Sequence, residues 1–145
     1  MLLVVEDDPL CRRALDRLLG GRPRTHAANA EEARLAIGEI GELTGCLLDV
    51  ALPEGPRAGL ELLSWIRASY ATVPCALLTG TCAPDLVNAA ELLRARVIIK
   101  PASAELLDWV LQQSDRASPA AFVRQTARAA QARYELTDRE TEVVA

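Results

Sequence analysis

An α/β fold, doubly wound, with a five-stranded parallel sheet and five helices, is what this sequence predicts, on three observations. Short apolar runs alternate five times with amphipathic helical patterns over residues 1–113, the order expected when each strand is followed by a crossover helix. Four of the five runs are apolar throughout, as strands buried on both faces of a parallel sheet must be. The first polar residue after four of the runs is an acid, a hydroxyl or an amine. That placement matters because open α/β sheets bind their ligands beyond the carboxyl ends of the strands.

The elements follow in order. Leu2–Val5 is apolar and ends at Glu6-Asp7-Asp8, and Asp8-Pro9 has the chemistry of a helix cap and first turn. Leu10, Ala14, Leu15 and Leu18 share one helical face, and Gly20 and Gly21 close that helix. A weak run near Arg24–Ala27 makes the second strand, and Asn29 with Glu32 three positions on caps the second helix. Cys46–Leu48 leads to Asp49, and Leu60, Leu63 and Ile66 form the next helical face. Cys75–Leu78 leads to Thr79, with the stripe Leu86, Val87, Ala90 and Leu93 behind it. Val97–Ile99 leads to Lys100, and Leu106, Leu107, Val110 and Leu111 mark the last helix of a domain spanning residues 1–114. Composition then changes. Residues 115–134 read as a linker and connector helix, because Ala120–Tyr134 carries Arg124, Arg128 and Arg133 and no acidic residue. A solvated connector is the preferred reading over a nucleic-acid contact on charge alone.

Half of the 145 residues are hydrophobic but only 3% are aromatic, so the core must be Leu, Val, Ile and Ala. A net charge of −4 argues against a nucleic-acid surface spread over the whole chain. No apolar stretch reaches the roughly 18 residues a membrane span needs, and Met1 opens into a strand rather than a signal peptide, so a cytoplasmic location without membrane contact is expected. The cysteines, Cys11, Cys46, Cys75 and Cys82, form no C-x-x-C pair, and His26 is the sole histidine, which disfavours a zinc site. Cys46 and Cys75 read as small buried hydrophobes and Cys82 as a loop residue. No G-x-G-x-x-G follows the first strand, which excludes a dinucleotide-binding enzyme.

With strands in the flavodoxin-like order 2-1-3-4-5, Glu6, Asp7 and Asp49 converge at the switch point. One pair of carboxylates repels by about 4 kcal/mol at roughly 4 Å and an effective dielectric of about 20. A hard dication offsets this, and Mg²⁺ is the usual one where phosphate is also bound. It would neutralise the pocket and orient a phosphoryl group for attack by a carboxylate, with Thr79 donating a hydroxyl hydrogen bond and Lys100 a compact positive charge. Of 16 basic residues 15 are arginine, so Lys100 is the only lysine in the chain, and an ammonium fits a tight phosphate pocket that a planar guanidinium does not. Each part has a bland alternative: acids after a strand are often helix N-terminal charges, and Thr-Gly is often a turn. Four such residues on successive strand ends outweigh those alternatives.

At these residues the sequence resembles the receiver domains of two-component response regulators, over roughly residues 1–113. Leu3-Val4-Val5-Glu6-Asp7-Asp8-Pro9 resembles the family's opening strand and acidic pair, which implies that Asp7 ligates Mg²⁺ directly and Glu6 through water. Leu47-Leu48-Asp49-Val50-Ala51-Leu52-Pro53 resembles the phosphoacceptor segment, implying Asp49 as nucleophile and the Ala51 carbonyl as a metal ligand. Leu77-Leu78-Thr79-Gly80 matches the switch hydroxyl, and Ile99-Lys100-Pro101 the phosphate-binding lysine with a proline usually joined by a cis bond. The implied protein is a signalling switch rather than an enzyme, served by a sensor histidine kinase and able to self-associate as a homodimer.

The tail, Leu136-Thr137-Asp138-Arg139-Glu140-Thr141-Glu142-Val143-Val144, is similar to the start of the LuxR-type helix-turn-helix domain. That implies a truncated LuxR/NarL-type transcriptional regulator, with residues 135–145 the start of its DNA-binding domain and DNA contacted through the missing part rather than this fragment. Three departures from the family pattern stand out. The segment from Pro53 to Gly59 looks two residues longer than usual, Leu93-Arg94 replaces the usual Gly-Ala before the fifth strand, and Val97 occupies the position of the switch aromatic. Val97 keeps a phosphorylation-independent pseudo-receiver, a protein-interaction module, as the alternative. An aspartate-nucleophile phosphatase is disfavoured because Asp49 is followed two residues on by Ala51.

Overall fold

A computed structural model describes residues 1–116 of the chain. The remainder of the expected connector over 115–134, and the LuxR-like segment over 135–145, lie outside the described residues. The strands are β1 (Leu2–Val5), β2 (Arg24–Ala27), β3 (Gly45–Asp49), β4 (Cys75–Thr79) and β5 (Arg96–Ile99). The helices are α1 (Pro9–Leu19), α2 (Ala30–Glu39), α3 (Ala58–Ser69), α4 (Pro84–Leu92) and α5 (Ala104–Arg116). All strand pairings are parallel, in the order β2-β1-β3-β4-β5. The predicted flavodoxin-like fold is therefore the observed one, and strand order reverses between β1 and β3.

Side chains alternate across the sheet and feed two cores. Leu3, Val5, Cys46, Leu48, Cys75 and Leu77 face one, which α2, α3 and α4 cover. Leu2, Val4, Leu47, Ala76, Leu78 and Ile98 face the other, covered by α1 and α5. Burying each Leu or Ile is worth about 2 kcal/mol, and strands with no polar side chain can lie nowhere else. Cys46 and Cys75 are buried register partners and Cys82 is exposed, as expected.

Helix ends follow the local chemistry. Asp8 caps α1 by accepting from the Leu10 amide at 2.9 Å, and Gly20, at φ 60, ends that helix in the left-handed region that favours glycine. Asn29 accepts from the Glu32 amide at 2.8 Å, while the Glu32 carboxylate accepts from Ala28 at 2.7 Å. The return bond thus falls one residue before the cap rather than on it. Among the described residues no helix is long and apolar enough to cross a membrane.

Three expectations need correction. Leu10 and Leu106, placed on the buried faces of the first and last helices, are 72% and 46% exposed. Leu10 sits in the first turn of α1, and Leu106 stands beside the fully buried Leu107, off the face of α5 that packs. The α1 face that packs is Leu15 and Leu19, with Leu18 beside them. In α3, Leu62 joins Leu63 and Ile66 at the core, and Leu60 is only half-buried. The fifth strand is apolar in sequence but not buried on both faces: it is an edge strand, and Ile99 is 46% exposed.

Candidate functional site

Four strand ends make the site. β1 ends just before Glu6 and Asp7, β3 ends at Asp49, β4 at Thr79, and Lys100 follows β5. Because β1 and β3 are neighbours in register, their first polar residues emerge side by side. Carboxylate oxygens of Glu6, Asp7 and Asp49 lie within 4.8 Å of one another. Glu6 and Asp49 are buried, whereas Asp7 is exposed.

Lys100 binds the cluster together. Its Nζ donates to Glu6 Oε2 at 3.0 Å and lies 3.2 Å from Asp49 Oδ2. The backbone fixes that reach, since the Lys100 amide donates to the Thr79 carbonyl at 2.8 Å; the Lys100–Pro101 bond is cis. Burial raises the Glu6 carboxyl above its ordinary range, opposed by the Lys100 hydrogen bond and reinforced by the Asp49 charge. For Lys100 burial acts to lower the ammonium, but the Glu6 hydrogen bond and the Asp49 charge outweigh it and the pKa rises. The lysine is thus protonated at neutral pH. Glu6 is also held from its other side: its Oε1 accepts from the Asp8 amide at 3.1 Å, and its backbone carbonyl accepts from Arg12 Nη2 at 2.9 Å.

Three carboxylates face a single ammonium, so the cluster keeps an excess of negative charge and offers only hard oxygen donors. That is the donor set of a small dication rather than of a soft metal. Glu6, Asp7 and Asp49 would hold such an ion. Ala51 lines the cavity next to Asp49.

Thr79 is buried at the cavity wall, but its hydroxyl is turned onto its own loop, donating to the Thr81 carbonyl at 2.9 Å and accepting from the Thr81 amide at 3.3 Å. To donate toward Asp49 it would have to give up Thr81. Val97, at the position of the family's aromatic, packs half-buried against the α2–α4 core.

Two structural determinants of the site were not read from the sequence. Gly59, in the first turn of α3, lies so close to β3 that a Cβ there would collide with the Asp49 carbonyl oxygen and stand 2.8 Å from Val50 Cα. Its amide donates to the Val50 carbonyl at 2.9 Å. The only signal was a glycine inside a helix with no turn to make. Glu54, in the long loop after Asp49, accepts from the Ala30 and Glu31 amides at 3.1 Å and so caps α2 from outside. The lengthened loop has a use, but one whose partner lies 24 residues away.

The response regulator receiver domain family matches the chain over residues 2–112. The receiver domain of NtrX from Brucella abortus superposes with a TM-score of 0.69 at 26% identity, covering 81% of this chain and all of that one, a share of 100%. A CheY-like receiver domain protein from Methanospirillum hungatei gives 0.68 at 25% identity, over 79% of this chain and 93% of that one. The chemotaxis protein CheY4 of Vibrio cholerae, at 24% identity, gives 0.66 over 78% and 96% and adds likeness of fold alone. Among curated proteins none matches significantly. With its strand order, its acidic cluster and this match over most of its length, the chain belongs to the response regulator receiver domain family.

Proposed function

We propose that this receiver domain is a phosphorylation switch in which Asp49 takes a phosphoryl group, with Mg²⁺, from a sensor histidine kinase. The observation that carries the reading is Lys100, the chain's only lysine, placed within 3.2 Å of both a Glu6 and an Asp49 oxygen. An Asp49 carboxylate oxygen would attack phosphorus as the bond from phosphorus to the kinase imidazole breaks, leaving an acyl phosphate and a neutral histidine. Mg²⁺, when bound, neutralises charge and aligns the transferred group. The chain's own part is electrostatic. Lys100 meets the charge on the phosphoryl oxygens, and Thr79 exchanges its Thr81 partner for one of them. Loss of the Thr79–Thr81 bond would free the loop after β4 and the start of α4.

The output we infer is control of a DNA-binding, transcription-regulating domain, supported by the likeness of residues 135–145 to the start of a LuxR-type domain, in a cytoplasmic protein able to self-associate. A second reading, a phosphorylation-independent interaction module, draws on Val97, which has no ring to swing into space left by Thr79 and is stiff at χ1. Intact mass after acetyl phosphate, with and without Mg²⁺, separates the two. The switch predicts one phosphoryl group that requires Mg²⁺ and is lost in Asp49→Asn. A wild type never phosphorylated would favour the second, and an Asp49→Asn protein phosphorylated at the wild-type rate would overturn Asp49 as the acceptor.

A further inference from the structure

A second cation stands beside Asp49. Arg57, the residue before α3, lines with Asp49 and Thr79 a cavity of about 310 Å³. Its Nη2 donates to Asp85 Oδ2, in the first turn of α4, at 3.0 Å. Those side chains are 39% and 75% exposed, so the pair is weak and easily exchanged. Asp85 loses little when left alone, because a carboxylate in a helix's first turn is favoured by the helix dipole.

We propose that Arg57 is a second phosphoryl-binding cation, parked on Asp85 until Asp49 is modified and then transferred to the new dianion. The proposal rests on Asp49 as phosphoacceptor. A phosphoryl group brings about −1.5 to −2 charges and three acceptor oxygens. Lys100 is one compact charge already shared between Glu6 and Asp49, so the new dianion brings more negative charge than the lysine alone offsets. A guanidinium is too wide for the tight place that Lys100 fills, but from the exposed lining of the cavity its planar fork can bind phosphate through two hydrogen bonds, and a dianion is a better partner for it than one exposed carboxylate. The transfer also has a mechanical consequence. Arg57 links the loop after β3 to the first turn of α4, so its departure unties α4. Phosphorylation would thus reach α4 by a route that needs no ring at Val97.

A plain surface tie between loop and helix is the competing account, and the two differ in sign. If Arg57 only ties, removing either partner has the same consequence for ligand binding. If Asp85 competes with the phosphoryl group for Arg57, removing Arg57 weakens binding and removing Asp85 strengthens it. The test is calorimetric titration of beryllofluoride, a phosphoryl mimic, in Mg²⁺ at constant ionic strength, with thermal melts to confirm folding. Arg57→Ala is expected to weaken binding about tenfold, Asp85→Asn to tighten it about threefold, and the double variant to match Arg57→Ala. Any result in which Asp85→Asn fails to tighten binding, or Arg57→Ala fails to weaken it, overturns the exchange. If wild type and Asp49→Asn respond identically to beryllofluoride, the phosphoacceptor reading fails and the Arg57 proposal with it.

Discussion

Two groups of residues border Asp49 as the walls of the site, and they are built by opposite means. On one side stand Glu6 and Lys100, each the residue that follows a strand, anchored through backbone hydrogen bonds to the sheet and placed by parallel register. On the other stands the loop after β3. It is held by exposed side chains that reach other elements: Glu54 to the start of α2, and Arg57 to the start of α4. The first wall shares the sheet's rigidity, and its charges are partly withdrawn from water. The second is fastened by contacts that water screens, each worth little. A switch gains from this division, because the charges that do the chemistry stay fixed while the contacts that report it can be exchanged at low cost.

Perturbations should therefore differ in size according to the wall they touch. The largest effect is expected at the floor between the walls. Gly59→Ala puts a methyl group against the Asp49 carbonyl and Val50 Cα, both of them backbone that cannot rotate away. Either α3 backs off or β3 bends, and we expect a loss of about 3 kcal/mol in urea unfolding together with weaker phosphorylation. A variant as stable as wild type would show that the α3–β3 approach is not close-packed.

Next comes the strand-end wall. Lys100→Met removes the countercharge from two buried carboxylates. Its own side chain is 26% exposed, so water softens the penalty, and a loss of about 2 kcal/mol is expected in metal-free protein. Millimolar Mg²⁺ should restore part of that loss, because the ion supplies positive charge where the ammonium stood. A loss unaffected by Mg²⁺ would mean that the carboxylates do not bind the ion there.

What could be read from the sequence divides along the same line. Glu6, Asp7, Asp49, Thr79 and Lys100 were legible because each follows an apolar run, and a strand's end is a local signal. Placing all of them at one edge then needed only the strand order. The loop wall was not legible. Glu54 reads locally as an exposed acid, and nothing near it says that its partners are the amides at the start of α2. Arg57 is one of 15 arginines, with no pattern to set it apart. Leu10 and Leu106 failed for a related reason: periodicity names the approximate face of a helix, but its packing partners decide how wide and how long a stripe of that face is covered. For β5, composition alone could not distinguish an edge strand from an inner one.

The smallest effect is expected at Glu54, and its sign with pH tests the loop wall directly. Partial burial would raise the Glu54 carboxyl, but the Ala30 and Glu31 amides that donate to it, helped by the Arg34 charge, prevail and hold it below its ordinary value of 4.5. A carboxyl lowered by folding contributes stability that is present above the unfolded value and lost as pH falls through the folded one. Glu31, in the same first turn of α2, opposes Glu54 only when both are charged. The side chain is exposed, so as a cap it should be worth no more than about 0.5 kcal/mol. Glu54→Gln retains an oxygen acceptor but no charge. We therefore expect wild type to exceed Glu54→Gln by about 0.5 kcal/mol in urea unfolding at neutral pH, and the difference to vanish by about pH 3. Other acids titrate in both proteins and largely cancel in the comparison. A difference that stays constant across that range would mean that Glu54 acts through its shape and hydrogen bonding rather than its charge, and the loop would then be fastened by something other than the α2 dipole.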